Sequence, residues 1–326
     1  VAACVRADWE RQEQRYGRTA GCAESIQAAL ERAAQLRDDL SAMGSTVDVA
    51  AETARLEQLA ACAAELASVP EQRRRDLYFE IRAVTRQLAL KNPLVSGQRI
   101  LFMQRHRAVG YMLYEYLGWY YAYGYDPTNG AKNSQFPTPP KGGGVYVLEK
   151  PGASFRTTPL TDGKLPPGHF VTLALSHDAR TVYFAHADPA GADPYDSPGF
   201  VPASLQPGTR YNTFHIFAVN ADGTHLRQLT DGPNDDFDPC PLPDGGIAFE
   251  STRRGGKLRC GGGSPEVVYT LHRMDRDGRH VRTLSFHETH EWHPSVLNDG
   301  RIVYTRWDYV DRNAAKFHGL WTCHLD

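Results

Sequence analysis

This chain has almost no net charge. Its 36 Lys and Arg stand against 38 Asp and Glu, leaving −2 over 326 residues. No global basic field exists to hold nucleic acid or an anionic membrane, because both need a cationic surface. Its uninterrupted apolar runs fall far short of the ~18 residues that span a bilayer, so no membrane-spanning helix is expected. Cysteine is scarce, at 6, and too scattered for a zinc cage or a disulfide scaffold. Gly-x-Ser-x-Gly does not occur, which removes the nucleophile elbow of an α/β-hydrolase. Neither Gly142–Gly144 nor Gly261–Gly263 leads into Gly-Lys-Ser/Thr, so neither is a phosphate cradle. The chain opens on Val1 rather than Met, as a processed chain or a gene fragment would.

Glycine and proline are also nearly missing between Gly44 and Asn92, where only Pro70 intervenes. Ile26, Leu30, Ala33, Leu36 and Leu40 recur at three- and four-residue steps, as on one helical face. Leu56, Leu59, Ala63 and Leu66 repeat the pattern, and Leu77, Ile81, Val84 and Leu88 form a third stripe. The spacing predicts a helical region over 1–92, with two or three amphipathic helices packed as a hairpin or short coiled coil. Asn92-Pro93 closes it, since the residue before proline is biased out of the helical well.

From Arg99 the grammar changes to short apolar runs cut by Gly, Pro, Asn and Asp. RILFMQ at 99–104, GVYVLE at 144–149, FVTLAL at 170–175 and TVYFA at 181–185 all read as strands. So do 214–219, 247–250, 267–274 and 302–306. No long helical pattern separates them, so the region 97–326 is expected to be mainly β.

An internal repeat narrows the architecture. Asp222-Gly223 and Asp277-Gly278, Pro239 and Pro294, and Asp244-Gly245 and Asp299-Gly300 all stand 55 residues apart. Ile247 and Ile302 keep the same offset. Asp-Gly between alternating runs is a tight hairpin turn. Four strands joined by hairpins within one such unit make a β-propeller blade. The fold class expected is an incomplete β-propeller of four-stranded antiparallel blades: three blades and part of a fourth, where rings close with ~4–8. Insertions fall at 107–143, which carries eight aromatics among Tyr111–Tyr125, and at 187–212. Leu325-Asp326 stops short of the next expected Asp-Gly, as an incomplete gene product would.

The segment FHIFAVNADGTHLRQLTDGPNDDFDPCPLPDGGIAFESTR at 214–253 resembles the TolB-type, WD-repeat-like propeller unit. Longer runs, among them STRRGGKLRC, YTLHRMDRDG, EWHPSVLNDGRIVYTRWDYVDRNA and HGLWT, resemble the propeller-containing middle region of hydrazine synthase alpha-subunit-like proteins. The likeness spans roughly 97–326. It implies a bacterial protein that is periplasmic or otherwise exported. In such proteins redox chemistry belongs to c-type haem attached through Cys-x-x-Cys-His, usually downstream of the propeller. That motif is absent here, because Leu320-Trp321-Thr322 precede Cys323-His324. No cofactor is therefore expected in this chain, and haem only in a further domain.

Candidate chemistry gathers in the loops before first strands and after second strands, which share one end of a blade. Those loops bring Asp235, Asp236, Arg253, Arg254, His290, His293, Trp307, Asp308 and Asp311 together as a ligand or partner face. Mutual Arg–Asp pairing would use up the same groups. His287, His290 and His293 have the spacing of metal ligands, against a plain surface loop. Asp231, Asp235, Asp236 and Asp238 suit Ca²⁺ or, more simply, turns capped by their own carboxylates. Cys240 and Cys260 fall at one blade end and are a disulfide candidate in an exported protein.

No catalytic residue is nominated. The leading expectation is a non-catalytic propeller scaffold or binding module, with a protein partner or small ligand at the loop face. One alternative is the middle portion of a c-type haem oxidoreductase. Another is a TolB-like envelope interaction module.

Overall fold

The computed structural model describes residues 1–44, 47–105, 143–187, 213–256, 259, 268–309 and 318–325, except the side chain of His169. Contacts divide the chain into two compact units. One comprises Val1–Ile100 with Leu148–Thr157, the other Leu101–Val147 with Thr158–Asp326. The insertions expected at 107–143 and 187–212 lie almost wholly outside the described residues.

The helical unit contains α1 (Ala2–Arg15), α2 (Ala23–Ala42), α3 (Ala50–Ala63) and α4 (Glu71–Lys91). The three apolar stripes face one another: Ile26, Ala33, Leu40, Leu56, Leu59, Leu77, Ile81, Val84 and Leu88 share one core. α1 is additional to the helices that the pattern predicts. Its buried residues are Trp9 and Glu13, too few apolar positions to mark a stripe. Glu13 is buried and receives Arg18 Nε at 2.9 Å, Arg32 at 3.3 Å and the Tyr78 hydroxyl at 3.0 Å. Burial pushes the Tyr78 phenol up to about 12. Gly21 lets the α1–α2 loop pass α4. Its φ is +98°, and a Cβ there would sit 2.7 Å from the Arg75 Cα.

The β unit is a series of four antiparallel sheets, each a meander in chain order. The first holds β1 (Ile100–Gln104), β2 (Gly144–Leu148) and β3 (Thr157–Pro159). The second holds β4 (His169–Leu175), β5 (Thr181–Ala187), β6 (His215–Asn220) and β7 (Arg227–Gln228). The third holds β8 (Asp236–Pro241), β9 (Ile247–Ser251), β10 (Thr270–Met274) and β11 (Arg282–Thr283). The fourth holds β12 (Glu291–Val296), β13 (Ile302–Trp307) and β14 (His318–Cys323). These are propeller blades, as the repeat predicts.

Strand alternation explains why both faces of the middle blades are apolar. Val182 and Phe184 of β5 and Phe217 and Val219 of β6 face the first blade, where Val145, Val147 and Leu160 meet them. Tyr183, Ile216 and Ala218 face the other way, onto Ile247, Phe249 and Met274 of the third blade. Ala248 and Leu271 then turn to Ile302 and Tyr304 of the fourth. A period of two thus feeds three successive inter-blade cores. The Asp-Gly turns close the other end. Gly223, Gly245, Gly278 and Gly300 take φ between +84° and +89°, and the Asp222 and Asp244 carboxylates each accept a backbone N–H at 2.9 Å.

Candidate functional site at the loop end of the blades

Asp235 stands where the chain enters β8, and His290 stands where it enters β12. Both are buried. The Asp235 carboxylate accepts the N–H of Phe214 at 2.9 Å, and His290 Nδ1 accepts the N–H of Tyr269 at 3.1 Å. Phe214 and Tyr269 are themselves separated by the repeat length. Carboxylate and imidazole therefore do one job in two blades, tying the approach to the third strand to the approach to the next blade's first strand. Burial drives the two groups toward neutrality. The Asp235 carboxyl is raised well above its ordinary value, and the His290 imidazole falls to about 3.

Asp236, next along, is held differently. Arg253 Nε and an Arg253 terminal nitrogen bind its two oxygens at 3.0 and 2.7 Å, and the Ser251 hydroxyl adds 2.7 Å. Burial raises this carboxyl, but His215, Arg253 and Ser251 outweigh it and leave it below its ordinary value. Arg253 also reaches the Asp231 carbonyl at 2.9 Å, closing the 231–236 loop. Arg254 donates to the His287 carbonyl at 2.9 Å, and Arg259 pairs with Glu288 at 3.1 Å. The loop after β9 and the loop before β12 thus meet.

An aromatic cluster surrounds His290. Its ring lies 4.8 Å from Tyr269, 5.7 Å from Trp292 and 6.3 Å from Trp307. His318 stacks on Trp292 at 5.3 Å. Trp307 is buried, so it lends no surface to the face. Asp308 accepts from Arg306 at 3.1 Å and from the Trp321 indole at 3.3 Å.

Asp238 and His293 differ from the expectation of a turn ahead of the strand. Both lie inside their strands, at bulges where the register shifts between Phe237 and Cys240 and between Trp292 and Ser295. Thr172 occupies the same bulge in β4. The three take φ of 50°, 50° and 55°, unusual for residues with a Cβ. A ladder secures them: Thr172 Oγ1 accepts the Asp238 N–H at 3.1 Å, and the Asp238 carboxylate accepts the His293 N–H at 3.0 Å. The slot is still structural, but it links first strand to first strand.

Asp235, Asp236 and Arg253 come together, and Arg254, His287, His290 and Trp307 lie along the same blade end. His293 sits apart on the innermost strand, and Asp311 lies outside the described residues. The three histidines do not converge: His287 Nδ1 lies 2.7 Å from the Thr289 hydroxyl oxygen, while His290 Nδ1 accepts the Tyr269 N–H. Among the described residues no group of three or more His, Cys, Asp or Glu side chains could hold a metal ion. Cys240 is a buried free thiol, pushed up to about 11 by burial, and Cys260 lies outside the described residues. Sequence reasoning missed the Tyr269–His290–Trp292 cluster and the buried acids Glu250 and Glu291. Aligning the repeat units would have paired His290 with Asp235.

No family model and no curated protein matches the chain. Solved structures are similar at low identity. Hydrazine synthase from Kuenenia stuttgartiensis gives a TM-score of 0.43 at 14% identity, over 69% of this chain and 30% of that one. A TolB-type protein from Agrobacterium tumefaciens gives 0.35 at 16%, over 56% and 57% of the two chains. TolB from Acinetobacter baumannii gives 0.34 at 13%, over 78% and 57%. The chain therefore spans less than two thirds of each of these structures.

Proposed function

We propose that the β unit is a non-catalytic scaffold and binding module, whose partner contacts lie on the loop end of the third and fourth blades. One observation carries the reading: Asp235 and His290 perform the same task for successive blades. A group whose task repeats blade by blade serves the framework, whereas a reacting group would stand alone. Above that framework Arg259, Phe286 and Glu288 are exposed, and they offer charge and an apolar ring rather than a nucleophile. A protein partner or a small ligand suits such a face. The motif resemblance over 97–326 supports a module of the hydrazine synthase alpha-subunit-like kind in an exported, periplasmic setting. Among the described residues no helix is long and apolar enough to cross a membrane.

The test is substitution of the exposed residues in the full chain. Arg259→Ala and Phe286→Ala should each reduce retention of a cross-linked partner, identified by mass spectrometry, with the melting temperature unchanged. Undiminished retention in the double variant would overturn the assignment of the face.

A further inference from the structure

The third blade carries a carboxylic acid where its neighbours do not. Glu250 pairs with Leu271 across β9 and β10, and the matching position of the second blade is Ala185, paired with Ile216. Strand alternation puts Glu250 on the same face as Ala248, turned toward the fourth blade. Its side chain is fully buried, and neither oxygen has a hydrogen-bond partner among the described residues. A buried carboxylate without a partner is far costlier than a neutral acid there.

The surroundings make the contrast sharper. On β12, Glu291 occupies the repeat position of Asp236. Asp236 is paired with the Arg253 guanidinium and hydrogen-bonded by the Ser251 hydroxyl. The corresponding residues of the fourth blade are Asp308 and Arg306, and that arginine bonds Asp308 instead. Among the described residues, the Glu291 carboxylate accepts the Leu271 N–H at 3.0 Å and the Ser285 hydroxyl at 2.5 Å, and no guanidinium bonds it. Among the described residues, the charged and titratable groups acting on this junction are Asp238 and Cys240 from β8, Glu291 and His293 from β12, Tyr304 and Arg306 from β13, Cys323 from β14 and Arg254 from the loop after β9. Glu291 and Asp238 are the two whose charge acts on Glu250, and both are acids.

We infer that the junction of the third and fourth blades is proton-dependent: it packs with Glu250 carrying a proton and loosens when that proton leaves. Burial first, then the charges of Glu291 and Asp238, raise the Glu250 carboxyl well above its ordinary 4.5. The sign follows. The folded state keeps a proton that the unfolded chain gives up near 4.5, so this contribution to stability declines as pH rises from there toward the raised folded value. The fourth blade, packed on the acidic face, loosens first.

The experiment compares the full-length chain with E250Q, which mimics the neutral acid. Melting temperatures should agree at acidic pH and diverge as pH rises, E250Q remaining the more stable. Amide exchange in His318–Cys323, corrected for intrinsic rate, should accelerate with pH in the native protein and not in E250Q. Parallel melting curves for the two proteins at every pH would overturn the inference. The infrared spectrum of native protein with ¹³C-labelled glutamate tests it even if E250Q does not fold. A protonated-acid band should be present at neutral pH, and its absence would contradict the proposal.

Discussion

The Asp238 carboxylate accepts the backbone N–H of His293 at 3.0 Å, and the two residues occupy the same bulge of successive first strands. The innermost strands are thus joined by side chain to main chain rather than by a shared sheet. Asp238→Ala leaves the His293 N–H without its acceptor and should cost about 1–3 kcal/mol. Asp238→Asn, which keeps an acceptor, should cost less. Urea unfolding of the two variants measures the difference.

Half-buried Arg253 and fully buried Asp236 form an ion pair in the third blade. Removing Arg253 alone leaves the buried Asp236 carboxylate without its guanidinium, with the Ser251 hydroxyl and His215 still beside it, and about 3 kcal/mol of stability should be lost in Arg253→Ala. The folded Asp236 carboxyl lies below its ordinary 3.8, so its contribution is present above that value and is lost as pH falls through the lower folded one. Acid unfolding of Asp236→Asn should therefore show a shallower pH dependence than that of the native chain.

His290 also works against acid, for a different reason. Its folded value of about 3 lies below the ordinary 6.5, so the unfolded chain takes up a proton that the fold refuses. Stability should fall as pH drops from 6.5 toward 3, and His290→Asn should remove that portion of the loss. Thermal melts across this pH range provide the check.

In the helical unit, Glu13→Ala strips the acceptor from Arg18, Arg32 and the Tyr78 hydroxyl at once. A loss of about 3–5 kcal/mol is expected, because a buried hydrogen-bonded charge node loses its centre. Circular dichroism during chemical unfolding would register it in the helical signal.

The blades are legible in the sequence because each turn is written with the same residues at the same offset. Asp222-Gly223 and Asp277-Gly278 mark equivalent hairpins, and the strands between them fall within a few residues of the observed ones. The interior of the loop end is less legible. His290 in HETHEWH resembles a metal ligand, and only the fold brings the Tyr269 N–H to its ring. Glu250 in IAFES looks like the outward position of a half-exposed strand, since alternation usually sends polar groups to water. Here both faces of β9 are covered, so the outward position is another interior. α1 escapes for the opposite reason, because it buries a charged Glu13 as well as Trp9.

Residue-resolved amide exchange at Phe214 and Tyr269, read beside partner retention, tests most directly whether the loop-end polar groups serve the framework. Both amides should be strongly protected in the native chain. Asp235→Ala should expose Phe214 while sparing Tyr269, His290→Ala should do the reverse, and both variants should retain the partner in proportion to their folded fraction. Loss of the partner from a fully folded Asp235→Ala chain with both amides still protected would contradict the framework role and make these residues part of the binding site itself.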